Sequence, residues 1–250
     1  TGNGTIENNV VVQAGETNLR DLIDVEVGGS LVIENGTFNT KGAQILNIEG
    51  TATVLNGTFA CTASHEEIEY IASKSLLKVD GENATLSIVD GIIDAYPEID
   101  EEDSSQARFI YGIYAANGAT VNLGGENSDG PEITSGYPVI GFNNMTSTPA
   151  QTVNIYGGSY QSSLGVGEAQ NDQPFNAVIY FSGAAEVNIY DGSFTGGGSK
   201  TRIFSIPYQN AGVNLNIDGG TFDASEAKNV FWSNGGTGSA YGDNKILITG

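Results

Sequence analysis

The sequence predicts an all-β chain wound as a right-handed parallel β-helix, with three strands per turn and seven or eight turns. Two observations carry this expectation. The first is a short phrase that the chain keeps rewriting: LVIENGTF at 31–38, ATVLNGTF at 52–59, LSIVDGII at 86–93, VNIYGGSY at 153–160, VNIYDGSF at 187–194 and LNIDGGTF at 215–222. Val121-Asn122-Leu123-Gly124-Gly125 is a degenerate copy, and Ile246-Leu247-Ile248 begins another. The second is where the glycines fall. Gly makes up 35 of the 250 residues, about twice the usual share, and it recurs at the middle of these phrases without a Gly-X-Y period, which excludes collagen.

Each phrase has the same physical content. Two apolar residues two apart lie on one face of a strand. A corner follows, written Asn-Gly, Asp-Gly or Gly-Gly, the residues that tolerate positive φ. Thr or Ser and then an aromatic residue or Ile open a second strand. In a hairpin such a corner reverses the chain. Here the unit returns in the same order at intervals of about 20 to 35 residues, the mark of a solenoid. Parallel crossovers are right-handed as a rule, which sets the expected hand.

Residues 1–29 lack the full phrase. Val10-Val11-Val12 and Val25-Glu26-Val27 read as strands, with a helical turn expected over 17–23. This segment is expected to be a cap or an irregular first coil, since a solenoid needs its open edge covered. The repeat then occupies 30–250 as a single domain. A third strand per coil is expected at Ile45–Ile48, Leu76–Val79, Phe109–Tyr114, Pro138–Phe142, Val178–Phe181, Arg202–Ile206 and Asn229–Trp232. Insertions fall at 63–74, with a short helix expected over 65–71, and at 94–103 and 165–174. Insertions at fixed points of a repeat map to one side of a solenoid, often its binding side. At about 4.8 Å per coil the rod is roughly 35 Å long. Phe38, Phe59, Ile93, Tyr160, Phe194 and Phe222 are expected to stack inside it as one ladder, and the apolar pairs of the first strands as two more.

Nine Lys and Arg against thirty Asp and Glu give a formal net charge of −21. That balance argues against nucleic acid and anionic membranes as partners. No run of about 18 apolar residues offers a membrane span. Cys61 stands two residues beyond Phe59 and is expected to be a buried thiol, because a lone cysteine has no partner for a disulfide within the chain. The abrupt start and end suggest a piece of a longer extracellular protein, or a mature form with its leader removed, and the rod itself is expected to be monomeric.

The pattern is similar to the pectate-lyase-like superfamily of right-handed β-helices, closest to the non-catalytic V-x-I-x-G-G-T-F coils of bacterial surface and secreted proteins. The resemblance covers about residues 30–250. It implies the fold; the fold hosts lyases, glycosidases, tailspikes and adhesins alike. Pectate lyases use an arginine base beside a calcium site, and only Arg20, Arg108 and Arg202 are available here, none in such a motif. The N-T-D, D-D and G-H-G motifs of polygalacturonase-like enzymes do not occur, and His65 is the only histidine.

The outward positions of the first strands carry the candidate chemistry. Val32, Thr53, Ser87, Asn122, Asn154, Asn188 and Asn216 form one line, without a carboxylate. Glu34, Leu55, Val89, Gly124, Tyr156, Tyr190 and Asp218 form the next, with carboxylates only at opposite ends, too far apart to act as a glycosidase pair. Asn122, Asn154, Asn188 and Asn216 with Tyr156 and Tyr190 suit a carbohydrate: rings pack on a pyranose and amides bond its hydroxyls. The same asparagines suit a purely structural ladder that bonds from coil to coil. Asp94, Glu98, Asp100 and Asp103 in the acidic insertion are hard oxygen ligands for calcium, though without the EF-hand spacing. The expected function is an extracellular adhesin or carbohydrate-binding module without catalysis, whose partner is a host or environmental glycan or a surface protein. A polysaccharide lyase or glycoside hydrolase of this fold and a structural stalk are the alternatives.

Overall fold

The computed structural model describes residues 3–6, 10–13, 21–41, 44–62, 75–95, 111–125, 128–136, 138–142, 150–162, 176–208, 211–236 and 243–249. Eight coils each place one strand on each of three parallel sheets, and Lys245–Ile248 adds a ninth strand to the first. The first sheet stacks Asn3–Ile6, Ser30–Ile33, Thr51–Val54, Thr85–Ile88, Thr120–Leu123, Gln151–Ile155, Ala185–Ile189, Val213–Ile217 and Lys245–Ile248. The second stacks Val10–Gln13, Gly36–Thr40, Thr58–Cys61, Ile92–Ala95, Glu132–Ser135, Ser159–Ser162, Ser193–Gly196 and Thr221–Asp223. The third stacks Ile23–Val25, Leu46–Ile48, Ser75–Asp80, Tyr111–Ala116, Ile140–Phe142, Ala177–Tyr180, Arg202–Tyr208 and Asn229–Gly236. This is a three-sided parallel β-helix.

The register follows from the apolar alternation, since a slip by one residue would turn every core side chain outward. On the first sheet Leu31, Ala52, Leu86, Val121, Val153, Val187 and Leu215 stand in one line. Ile33, Val54, Ile88, Leu123, Ile155, Ile189 and Ile217 stand in the next, and all fourteen side chains are buried. The ladder on the second sheet runs Phe38, Phe59, Ile93, Ile133, Tyr160, Phe194, Phe222. Ile133 is a member that the phrase did not announce, because the irregular corner at Gly124 obscures its copy. Ring centroids lie 4.9 Å apart for Phe38–Phe59 and Tyr160–Phe194, and 5.0 Å apart for Phe194–Phe222, with interplanar angles of 11°, 19° and 13°. Coil spacing thus dictates the ring spacing, and each stacked pair adds about 1 kcal/mol beyond burial. Cys61 is buried as a thiol at the end of its strand.

The Asx-Gly corners have a local cause. The N–H groups of Gly36, Gly57, Gly91 and Gly192 donate to the side-chain oxygens of Asn35, Asn56, Asp90 and Asp191, at 2.7 to 2.8 Å. Glycine follows for two reasons: Gly91 has φ 127°, and a Cβ there would stand 2.7 Å from the Gly57 carbonyl oxygen of the coil below. The corner therefore admits stacking only when it is bare.

Residues 3–25 contribute a strand to each sheet, in register with the next coil. The third of these strands is Ile23–Val25 rather than 25–27, and Val27 is exposed beyond it. Most of the helical turn expected over 17–23, and all of the helix expected over 65–71, lie outside the described residues; Ile23 itself opens a strand. On the third sheet the outward line reads Asp24, Asn47, Lys78, Tyr114, Gly141, Tyr180, Ser205, Trp232. Tyr180 and Trp232 are thus surface residues of that sheet, half-buried among their neighbours.

Candidate carbohydrate-binding face

The asparagine line on the first sheet is bonded along its whole length. Asn216 Nδ2 donates to Asn188 Oδ1 at 2.8 Å, Asn188 to Asn154 at 3.0 Å, Asn154 to Asn122 at 2.9 Å, and Asn122 to Ser87 Oγ at 3.2 Å. The structural ladder is real. It uses one N–H and one acceptor position of each interior amide, so each amide group has a second N–H and a second lone pair for solvent or a ligand. All four asparagines are half-buried.

Tyr156 and Tyr190 stand beside this line at the start of the corner. Both are 45% exposed, and their rings stack 5.0 Å apart with an interplanar angle of 7°. Stacking turns one face of each ring onto the other, and the remaining exposed part of each ring is open to contact. Beyond Tyr156 lies a groove of about 320 Å³ lined by Ser128, Asp129, Tyr156, Gly157, Gly158, Asp191, Gly192, Ser193 and Thr221. Its floor is glycine because neighbouring coils press from beneath. A Cβ on Gly158 would stand 2.6 Å from the Pro131 carbonyl oxygen and 2.7 Å from the Tyr160 hydroxyl. Tyr160 replaces phenylalanine in the core ladder here, and its buried hydroxyl donates to the Gly157 carbonyl at 2.6 Å, holding the floor from inside. Burial pushes that phenol well above its ordinary range.

Sequence reasoning found the asparagines and tyrosines but not the groove beside them. Ser128 and Asp129 sit in the loop after the degenerate copy, where Ser128 Oγ donates to the Val89 carbonyl at 2.5 Å and accepts from Gly130 N–H at 2.9 Å. The sequence signal was present in Asp129-Gly130-Pro131, an interrupted corner, but nothing in the repeat foretold which coil it would face.

Other candidates resolve differently. Asp94 is half-buried on the second sheet, while Glu98, Asp100 and Asp103 lie outside the described residues. Among the described residues no group of three or more His, Cys, Asp or Glu side chains is placed to hold a metal ion. Arg202 is 1% exposed, and its guanidinium lies 4.5 Å from the Trp232 ring centre, a cation–π contact; Arg20, Arg108 and His65 lie outside the described residues. On the same sheet, burial works against ionisation of Asp80, but hydrogen bonds from Lys78 and Asn117 outweigh it and hold the carboxyl below its usual range. Burial, and next the neighbouring Asp24, push Asp21 upward. No family model, curated protein or solved structure matches the chain.

Proposed function

We propose that this chain is a non-catalytic carbohydrate-binding domain of an extracellular bacterial surface protein, with a host or environmental glycan as its partner. The observation that carries this reading is one continuous surface: four half-buried amides in line, two exposed stacked tyrosines beside them, and a groove sharing Tyr156. Aromatic ring plus fixed donors and acceptors is the chemistry that recognises a sugar's apolar face and its hydroxyls together. The resemblance to surface-protein β-helices agrees with this and with export.

The test is retention and turnover on a broad polysaccharide and oligosaccharide array, comparing the wild-type chain with Tyr156→Ala/Tyr190→Ala. Retention that the double variant loses, with no product released, is the expected result. No retention on any glycan would sink the reading and favour a stalk. One observation favours a second reading: Asp129 and Asp191 line the same groove, as a pair of carboxylates does in glycoside hydrolases. Release of shortened product, abolished by Asp129→Asn, would establish that alternative.

A further inference from the structure

We propose that the outer face of the third sheet is a second binding site, which takes an uncharged, extended β-1,4-linked hexose chain laid along the rod. Parallel register sets its spacing. Over five successive coils the outward line reads Tyr114, Gly141, Tyr180, Ser205, Trp232. An aromatic side chain therefore stands on every second coil, with a small residue between. Two coils measure about 9.6 Å, close to the length of two sugars in an extended β-1,4-linked chain, where every second ring turns the same face to one side. An α-1,4-linked chain coils and loses that period. The platforms are backed by the fold. The Arg202 guanidinium, itself 1% exposed, lies 4.5 Å from the Trp232 ring centre. Tyr111 packs against Tyr114 with ring centres 5.5 Å apart, and its ring lies across the bare Gly141, filling the first gap. Tyr114, Tyr180 and Trp232 are half-buried, so each keeps some ring surface for a sugar's apolar face. From Tyr114 to Trp232 the line carries no charged side chain, on a chain of net charge −21; that suits a neutral polymer and neither a uronic acid chain nor a polyamine. A second observation points to the same side. The insertions at 63–74, 94–103 and 165–174 all lead from a second-sheet strand into the next third-sheet strand, and the side of a solenoid where insertions gather is often its binding side.

Trp232 is the only tryptophan in the chain, so its emission reports on this face. The experiment titrates the 250-residue chain with cellohexaose, cellotriose, maltohexaose and decaproline, following tryptophan fluorescence, and repeats the cellohexaose titration on Tyr180→Ala. A saturable change is expected with cellohexaose and none with maltohexaose. Cellotriose reaches only two of the three rings and should bind about tenfold more weakly, the loss of one stacking contact. Tyr180→Ala should weaken cellohexaose binding by a similar factor, with circular dichroism reporting that the rod is intact. Equal affinity for cellohexaose and maltohexaose overturns the proposal, because a surface indifferent to linkage does not use the two-coil period. Equal affinity for the trimer and the hexamer overturns it as well. So does decaproline that changes the emission at concentrations as low as cellohexaose does, since a polyproline helix has a turn of similar length and the strip would then be a peptide site. No emission change with any probe, or cellohexaose affinity unmoved in a folded Tyr180→Ala, has the same consequence. Should Tyr180→Ala fail to fold, the dependence on length and linkage decides on the wild-type chain. The first-sheet face lies on another side of the rod, and its glycan reading stands or falls by its own test.

Discussion

Asn188 both donates and accepts within the ladder: its amide donates to Asn154 and accepts from Asn216. Asn216 donates to Asn188 at the end of the bonded run. Comparing the two positions therefore measures what each ladder bond contributes. Asn188→Ala removes two hydrogen bonds and Asn216→Ala one. At about 1 kcal/mol per half-buried bond, urea unfolding should show a loss of about 2 kcal/mol for Asn188→Ala and about half that for Asn216→Ala. Equal, near-zero losses would mean that water replaces the ladder without cost, and the amides would then be retained for a ligand alone. Gly50 shows the same economy of space at a different corner. A Cβ there would stand 2.4 Å from the Gly29 carbonyl oxygen, so the residue is glycine for contact rather than for its backbone angle.

The third sheet is the element on which reading and structure part most. Its strands are apolar without clean alternation, as in Arg202–Tyr208, where every residue through Pro207 is buried, so periodicity could not say which side chains face out. Register settles it by bringing Tyr114, Tyr180 and Trp232 onto one outward line, with the Tyr111 ring lying across the bare Gly141. Burial first, then the nearby Tyr208 and Tyr114, push the Tyr180 phenol up to about 12 from 10.0, and burial pushes Tyr111 further in the same direction. A folded pKa raised above the unfolded value means stability that is complete below about pH 10 and lost as pH rises through 12. Tyrosinate absorbance from Tyr180 should therefore appear near pH 10 only where the β circular-dichroism signal is lost, and toward pH 12 where the rod stays folded, and Tyr180→Phe should move the alkaline unfolding midpoint upward. Ionisation of Tyr180 near pH 10 in a still-folded rod would refute the packing described. On the first two sheets, by contrast, V-x-I and the Asx-Gly corner were enough to read strand, register and core from the chain. There the alternation is strict and the corner chemistry is local. The groove was not readable, because it depends on residues from 128 to 221 being brought together by stacking.

At the scale of the whole rod, charge opposes the stacking that the ladders favour. Thirty acidic residues face nine basic ones. Among the described residues, Lys78 is committed to Asp80 at 2.8 Å and Arg202 is buried under Trp232, so these cations are engaged locally. Nine strands stacked about 4.8 Å apart make a rod of roughly 40 Å. The Debye length is about 30 Å at 0.01 M salt and about 8 Å at 0.15 M. In dilute buffer most carboxylates on the rod therefore repel one another, whereas near physiological salt only those within one or two coils do. Unfolding spreads the same charges over a larger chain and relieves the repulsion, so screening should favour the folded state. The urea midpoint is expected to rise with sodium chloride, with most of the gain below about 0.15 M and little beyond it. A midpoint that falls over the same range would show that local ion pairs outweigh the net repulsion.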